Sequence, residues 1–156
     1  MKTICSTSDA TQTEKLGKVL AQKTLTYPFF GKGAIVLGLV GDLGGGKTTF
    51  LQGFAKGLGV EQKIFSPTFV IMRKYELPNI KSRTGYFYHI DCYRIKKLKE
   101  MLNLGFLHII SRQNNIVAIE WADRIKRVMP ETTTWIDFEF ISKNVRKITI
   151  DSPLNI

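Results

Sequence analysis

The octapeptide Gly41-Asp42-Leu43-Gly44-Gly45-Gly46-Lys47-Thr48 has the spacing G-x-x-x-x-G-K-[ST], that of a turn built to hold phosphate groups. Phosphates need several backbone N–H donors converging on one point, and glycines supply them because no Cβ blocks the approach. The amides of Gly44 to Thr48 form that cradle, and Lys47 adds a positive charge at the β and γ positions. Thr48 offers a hydroxyl to magnesium, and a helix starting there points its positive end at the anion.

Phosphoryl chemistry also asks for a carboxylate near the metal and a group that positions the nucleophile. Two apolar runs end on acids: Tyr86-Phe87-Tyr88-His89-Ile90-Asp91 and Asn115-Ile116-Val117-Ala118-Ile119-Glu120. Ligands of open α/β sheets sit at the carboxyl ends of the parallel strands, so both acids are candidates. Glu120 is taken as the magnesium-holding acid and Asp91 as its rival. Thr68, in Ser66-Pro67-Thr68, reads as a switch residue that senses the γ-phosphate or as a plain turn. His89 shares a strand face with Asp91 and either orients that acid or fills space. Trp121 packs over the site, against a partner, or in the core.

These residues need elements to place them. Ala34 to Val40 reads as a buried strand, and Phe50, Leu51, Phe54, Ala55 and Leu58 continue the loop as a helix ending near Gly57 and Gly59. A first helix spans Ser8 to Gln22, with Ser8, Asp9 or Thr11 as its cap. Pro67 blocks helix ahead of a β-branched run that places Thr68 at the head of a strand. Asn79 to Gly85 is a polar turn, and Lys97 to Leu104 a short helix closed by Gly105. The tail alternates Ile136, Phe138, Phe140 and then Ile148, Ile150, as a terminal hairpin does. The expected fold is α/β: a P-loop NTPase-like three-layer domain with a mostly parallel central sheet and a C-terminal antiparallel hairpin, residues 1–156 forming one domain.

A chain of 156 residues buries about 70% of its unfolded surface and stands without disulfides. Cys5 and Cys92 are expected as reduced thiols, Cys92 buried near a strand end. No apolar stretch approaches a membrane span, and the expected location is the cytoplasm. The net charge of +10, concentrated in Lys96, Lys97, Lys99, Arg124, Lys126, Arg127, Lys143, Arg146 and Lys147, favours an anionic partner or a solvated surface. Aromatic residues do not interleave with these cations as in a single-strand-binding groove. The N/T-K-x-D stretch that reads guanine is absent, which favours ATP. The lack of an arginine-rich lid weakens the alternative of a small kinase acting on a metabolite or nucleoside.

Four stretches, in order, resemble the bacterial TsaE family over essentially the whole chain. They are the phosphate loop with Thr49 and Phe50, the segment Ser66-Pro67-Thr68-Phe69, the H-x-D-x-Y-R run His89 to Arg94, and Ile119-Glu120-Trp121. Thr13 to Ala21 is similar to that family's first helix. The resemblance implies a weak ATPase that works with the TsaD and TsaB proteins to form threonylcarbamoyladenosine at position 37 of tRNA. TsaE itself does not transfer the carbamoyl group, and tRNA is met through the complex, without DNA or membrane. It further implies ATP and Mg2+ as cofactors, Thr48 and Glu120 as metal ligands, and phosphate contacts from Leu43 to Thr48 with Thr49 beside them. Asp9 to Thr13 then lie by the adenine, Asp91 and Trp121 are needed for activity, and Arg146 approaches the nucleotide. The departures from the family pattern are Cys92 where leucine is usual, Ala122 where proline is usual, and a Leu77–Tyr86 turn longer than typical.

Overall fold

The run Ile35–Gly41 carries no polar side chain, and its first five residues are buried, as expected of a strand covered on both faces. In the computed structural model, which describes residues 1–27, 33–65, 71–78 and 85–154, this run is strand β2 at the centre of a seven-stranded sheet. The elements are β1 (Lys2–Thr7), α1 (Ala10–Thr26), β2, α2 (Lys47–Gly57), β3 (Met72–Glu76), β4 (Tyr86–Asp91), α3 (Leu98–Asn103), α4 (Phe106–Ser111) and β5 (Ile116–Glu120). A 3-10 helix over Ala122–Val128 follows, then β6 (Thr134–Phe140) and β7 (Arg146–Asp151).

The strand order is β1-β7-β6-β2-β5-β4-β3. Strands β6, β2, β5 and β4 are mutually parallel, whereas β7 and β3 pair antiparallel with their neighbours. Alternation along β2 and β5 splits the core. Ile35, Leu37 and Leu39 meet Phe50, Leu51 and Phe54 of α2, and the Phe50 ring sits edge-on to Phe138, centroids 5.6 Å apart. On the other face Val36, Val117 and Ile119 pack with Met101, Phe106, Ile109 and Ile125. Three layers result, as expected from the sequence. Cys92 is buried in this second core, where burial pushes its thiol up to about 12, and Cys5 is also unpaired. No helix of the described residues is long and apolar enough to cross a membrane.

The first helix starts after Asp9, whose carboxylate accepts from the Gln12 amide at 2.8 Å. It continues past the expected end at Gln22 to Thr26, because Thr24 is buried and returns its hydroxyl to the Leu20 carbonyl. The terminal hairpin forms as expected, but β6 also pairs in parallel with β2, Leu37 opposite Thr134 and Gly41 opposite Phe138. It is therefore built into the sheet, between β1 and β2, and not an appendage. Strand β1, helix α4 and the 3-10 helix have no counterpart in the sequence reading. Gly105, φ 77°, closes α3 and opens α4 within one residue. Residues 66–70 and 79–84, which hold Thr68 and most of the polar turn, lie outside the described residues.

Helices α1 and α2 touch main chain to main chain. A Cβ at Gly53 would collide with the Glu14 carbonyl oxygen, one at Gly17 with that of Phe50, and one at Gly57 would come within 2.7 Å of that of Lys18. Gly53→Ala is expected to lower unfolding free energy by about 2–3 kcal/mol, the upper range for overpacking, since a carbonyl cannot rotate away. Equilibrium urea denaturation measures this, and an unchanged midpoint would mean the helices are not seated glycine to backbone.

Candidate functional site

The loop between β2 and α2 turns on glycines in the left-handed region, Gly44 at φ 74° and Gly46 at φ 97°. Nothing lies within 4 Å of where a Cβ would stand at Gly44, so the concave side is open. The Gly45 amide donates to the Asp42 carbonyl at 3.0 Å and tightens the curl. Leu43, at the crest, is 77% exposed, so what it offers the cleft is main chain. Lys47, the first residue of α2, is buried, and its Nζ donates to the carbonyls of Gly41 at 2.6 Å and Asp42 at 2.7 Å. Burial holds its ammonium below the ordinary lysine range, against the opposing pull of Glu120, Asp42, Asp91 and Asp123.

Strand β5 lies beside β2 and delivers Glu120 to the start of α2. Thr48 Oγ1 stands 3.1 Å from both carboxylate oxygens of Glu120. Behind that carboxylate, His89 Nε2 is 2.9 Å from Glu120 Oε1, with the imidazole fully buried. A carboxylate only accepts, so Nε2 carries the hydrogen, and Nδ1 has no partner among the described residues. Of the two expectations for His89, orienting Asp91 or filling space, the structure shows a buried ring whose hydrogen bond goes to Glu120 and not to Asp91. Ala118, opposite His89 in register, leaves room for the ring to reach diagonally to the residue two further along β5. Asp91 sits opposite Glu120 at the end of β4, and its Oδ1 accepts from the Tyr93 amide at 2.8 Å.

Trp121 is the one non-glycine residue with positive φ among the described residues, at 57°. Such a conformation costs on the order of 1–3 kcal/mol and marks sites where side-chain placement matters. The turn lays the indole over Lys47 Nζ, 4.3 Å from the ring centroid, and against Tyr93 at 5.1 Å. The result is a cleft of about 310 Å3 lined by Leu43 to Thr49, Asp91, Tyr93, Glu120 and Trp121.

Nine of the residues picked from sequence thus converge: Leu43, Gly44, Gly45, Gly46, Lys47, Thr48, Thr49, Asp91 and Glu120, with Trp121 as the wall. Asp9 and Thr13 sit beside the cleft and not in its lining. Asp9 caps α1, while buried Thr13 shares a hydrogen bond with Thr7 at 2.8 Å and presents its methyl to Gly46. Arg146, from β7, reaches the loop, its Nη2 donating to the Gly44 carbonyl at 3.3 Å with the guanidinium over the Phe140 ring. Thr68 falls outside the described residues. Tyr93, the partner of Trp121, went unassigned from sequence; its place two residues after Asp91 was the available signal.

Could a magnesium ion fit here? Adjacent corners of an octahedron with bonds of about 2.0–2.1 Å lie about 2.9 Å apart, close to the 3.1 Å between Thr48 Oγ1 and Glu120. Among the described residues no group of three or more His, Cys, Asp or Glu is gathered to hold a metal. Such a cation would take its remaining ligands from phosphate oxygens and water, as magnesium characteristically does.

A sheet with a parallel centre and antiparallel edges, the glycine loop after its central strand and acids at the ends of two neighbouring strands, defines an α/β protein of P-loop-like fold. Comparison with known proteins places it more narrowly. Residues 7–148 match the family model described as threonylcarbamoyl adenosine biosynthesis protein TsaE, and the chain belongs to that family. Proteins described as tRNA threonylcarbamoyladenosine biosynthesis protein TsaE are similar to it. The one from Borreliella burgdorferi is 39% identical over 70% of this chain and 74% of its own length. The one from Treponema pallidum is 30% identical over 94% and 98%, and that from Bacillus subtilis 37% identical over 77% and 71%. The crystal structure of Bacillus subtilis YdiB is 28% identical, covers 97% of this chain and 86% of its own, and superposes with a TM-score of 0.68.

Proposed function

We propose that this chain binds ATP with Mg2+ in the loop cleft, hydrolyses it slowly, and so serves as the accessory ATPase that works with TsaD and TsaB in forming threonylcarbamoyladenosine at position 37 of tRNA. The observation that carries the ATPase reading is the contact of Thr48 with Glu120 at the mouth of the glycine loop, under Lys47 and Trp121. Family membership carries the pathway.

In this reading the amides from Gly44 to Thr48 and the Lys47 ammonium hold the phosphates, and the hydroxyl of Thr48 and the carboxylate of Glu120 hold the cation. Bound magnesium supplies charge neutralisation at the β and γ oxygens. His89 fixes the carboxylate of Glu120 from behind, so that group is oriented before any ligand arrives. Asp91 faces the cleft from the neighbouring strand and supplies a second carboxylate where a proton from the attacking water can go. Trp121 and Tyr93 shield that side from bulk water. The missing guanine-reading tetrapeptide supports adenine as the base.

The test is modified-nucleoside analysis of tRNA incubated with TsaD, TsaB, ATP and the other pathway substrates, with and without this chain. Threonylcarbamoyladenosine is expected to accumulate over repeated turnovers only when the chain is added. An equal yield in its absence would overturn the accessory role. ADP formation that depends on a small-molecule acceptor would replace it with a kinase.

A further inference from the structure

At the other end of the sheet from the glycine loop, where β4 and β5 begin, lies a second and larger recess of about 700 Å3. Its wall draws Lys74 from β3, Tyr86 and Tyr88 from β4, and His108, Arg112 and Asn114 from α4 and the turn after it. No acid lines it. Tyr86 and Tyr88 share one strand face and remain half-exposed, whereas Phe87 between them is fully buried. Their rings meet at 6.3 Å, and Lys74 Nζ rides 3.6 Å over the Tyr86 ring.

We propose that this recess binds an unpaired stretch of RNA, a base stacking on the tyrosines, its phosphates lying between Lys74 and Arg112, and Asn114 meeting a base edge. Aromatic faces bordered by cations are what single-strand sites use, because every base has a π-face and every nucleotide a charge. Carboxamide side chains pair with base edges in the same way. An acidic peptide would use the cations and leave two tyrosine faces and Asn114 without purpose. The volume lies within the range of sites for nucleotide-sized ligands, and the chain's charge of +10 draws polyanions. Tyr86 stands five residues from Asp91 along β4, about 17 Å at the usual strand rise, so RNA here leaves the ATP cleft accessible. The inference does not rest on the ATPase reading. The aromatics and cations of the recess come from three separate elements and meet only in the fold.

Fluorescence anisotropy of a labelled, unpaired oligoribonucleotide titrated with the intact chain, without nucleotide and at several salt concentrations, tests this. Tyr86→Ala is expected to weaken binding about fivefold or more, the cost of losing one stacked base, while Tyr86→Phe binds as the native chain does. The exposed pair Lys74→Glu/Arg112→Glu is expected to weaken binding and to flatten the salt dependence by about two phosphate contacts. It keeps the test decisive if Tyr86→Ala does not fold. A charge-matched pair on the far helix, Lys15→Glu/Lys18→Glu, is expected to have much the smaller effect. Equal loss from that control pair, unchanged binding by the recess variants, or displacement of RNA by polyglutamate as readily as by unlabelled RNA would each overturn the proposal.

Discussion

Lys47→Ala is expected to reduce ATP turnover by at least about 100-fold, the scale seen when one preorganised charge-stabilising donor is removed from a reacting centre. The lysine is fixed in advance. Its Nζ is held by two main-chain carbonyls of the loop and roofed by the Trp121 ring, so little conformational entropy remains to be lost when a phosphate arrives. Burial has already removed much of its hydration, and an ammonium so prepared gains more from an incoming anion than a solvated one does. Alanine leaves the carbonyls of Gly41 and Asp42 facing an open cleft, where water replaces the lost donor, so the fold is expected to persist. Phosphate release at saturating Mg-ATP, with a thermal melt alongside, measures both. Turnover above about a tenth of the native value in a folded variant would remove Lys47 from the reaction.

Glu120→Gln is expected to raise the magnesium concentration needed for half-maximal hydrolysis by at least about tenfold while changing metal-free nucleotide affinity only slightly. Glutamine keeps the size of the side chain and one oxygen toward Thr48, and it loses the charge that holds a hard cation. Glu120→Ala is a harsher change. It strips the fully buried His89 of its Nε2 partner when Nδ1 already lacks one among the described residues, adding a stability cost of about 1–3 kcal/mol to the functional loss. The glutamine variant therefore separates metal holding from folding. Comparing a magnesium titration of turnover with fluorescent-nucleotide binding in chelator decides the matter, and coincidence of both curves with those of the native chain would exclude Glu120 as a ligand.

Local features were readable from the sequence. The glycine loop, the apolar strand before it and the helix after it are each set within a few residues, and they stand where the spacing puts them. The two strands ending on acids were legible for the same reason, whereas their lying side by side is seen only in the structure. Long-range choices were not. Ile4 of β1 is 62% exposed, so an edge strand of mixed composition left no periodic signal. The assignment of His89 to Glu120 and not to Asp91 depends on strand register and on the smallness of Ala118, neither of which one strand's sequence states. Helix α4 was hidden because a single left-handed glycine both ends one helix and begins another, which in sequence reads only as a stop.

The glycine seam between α1 and α2 carries a genetic consequence. Where two side chains collide, a compensating change on the facing helix can restore the fit. At Gly53 the obstacle is the carbonyl of Glu14, which every amino acid at that position would share. Second-site suppressors of Gly53→Ala should therefore be absent at residue 14 and arise, if anywhere, among changes that stabilise the domain globally.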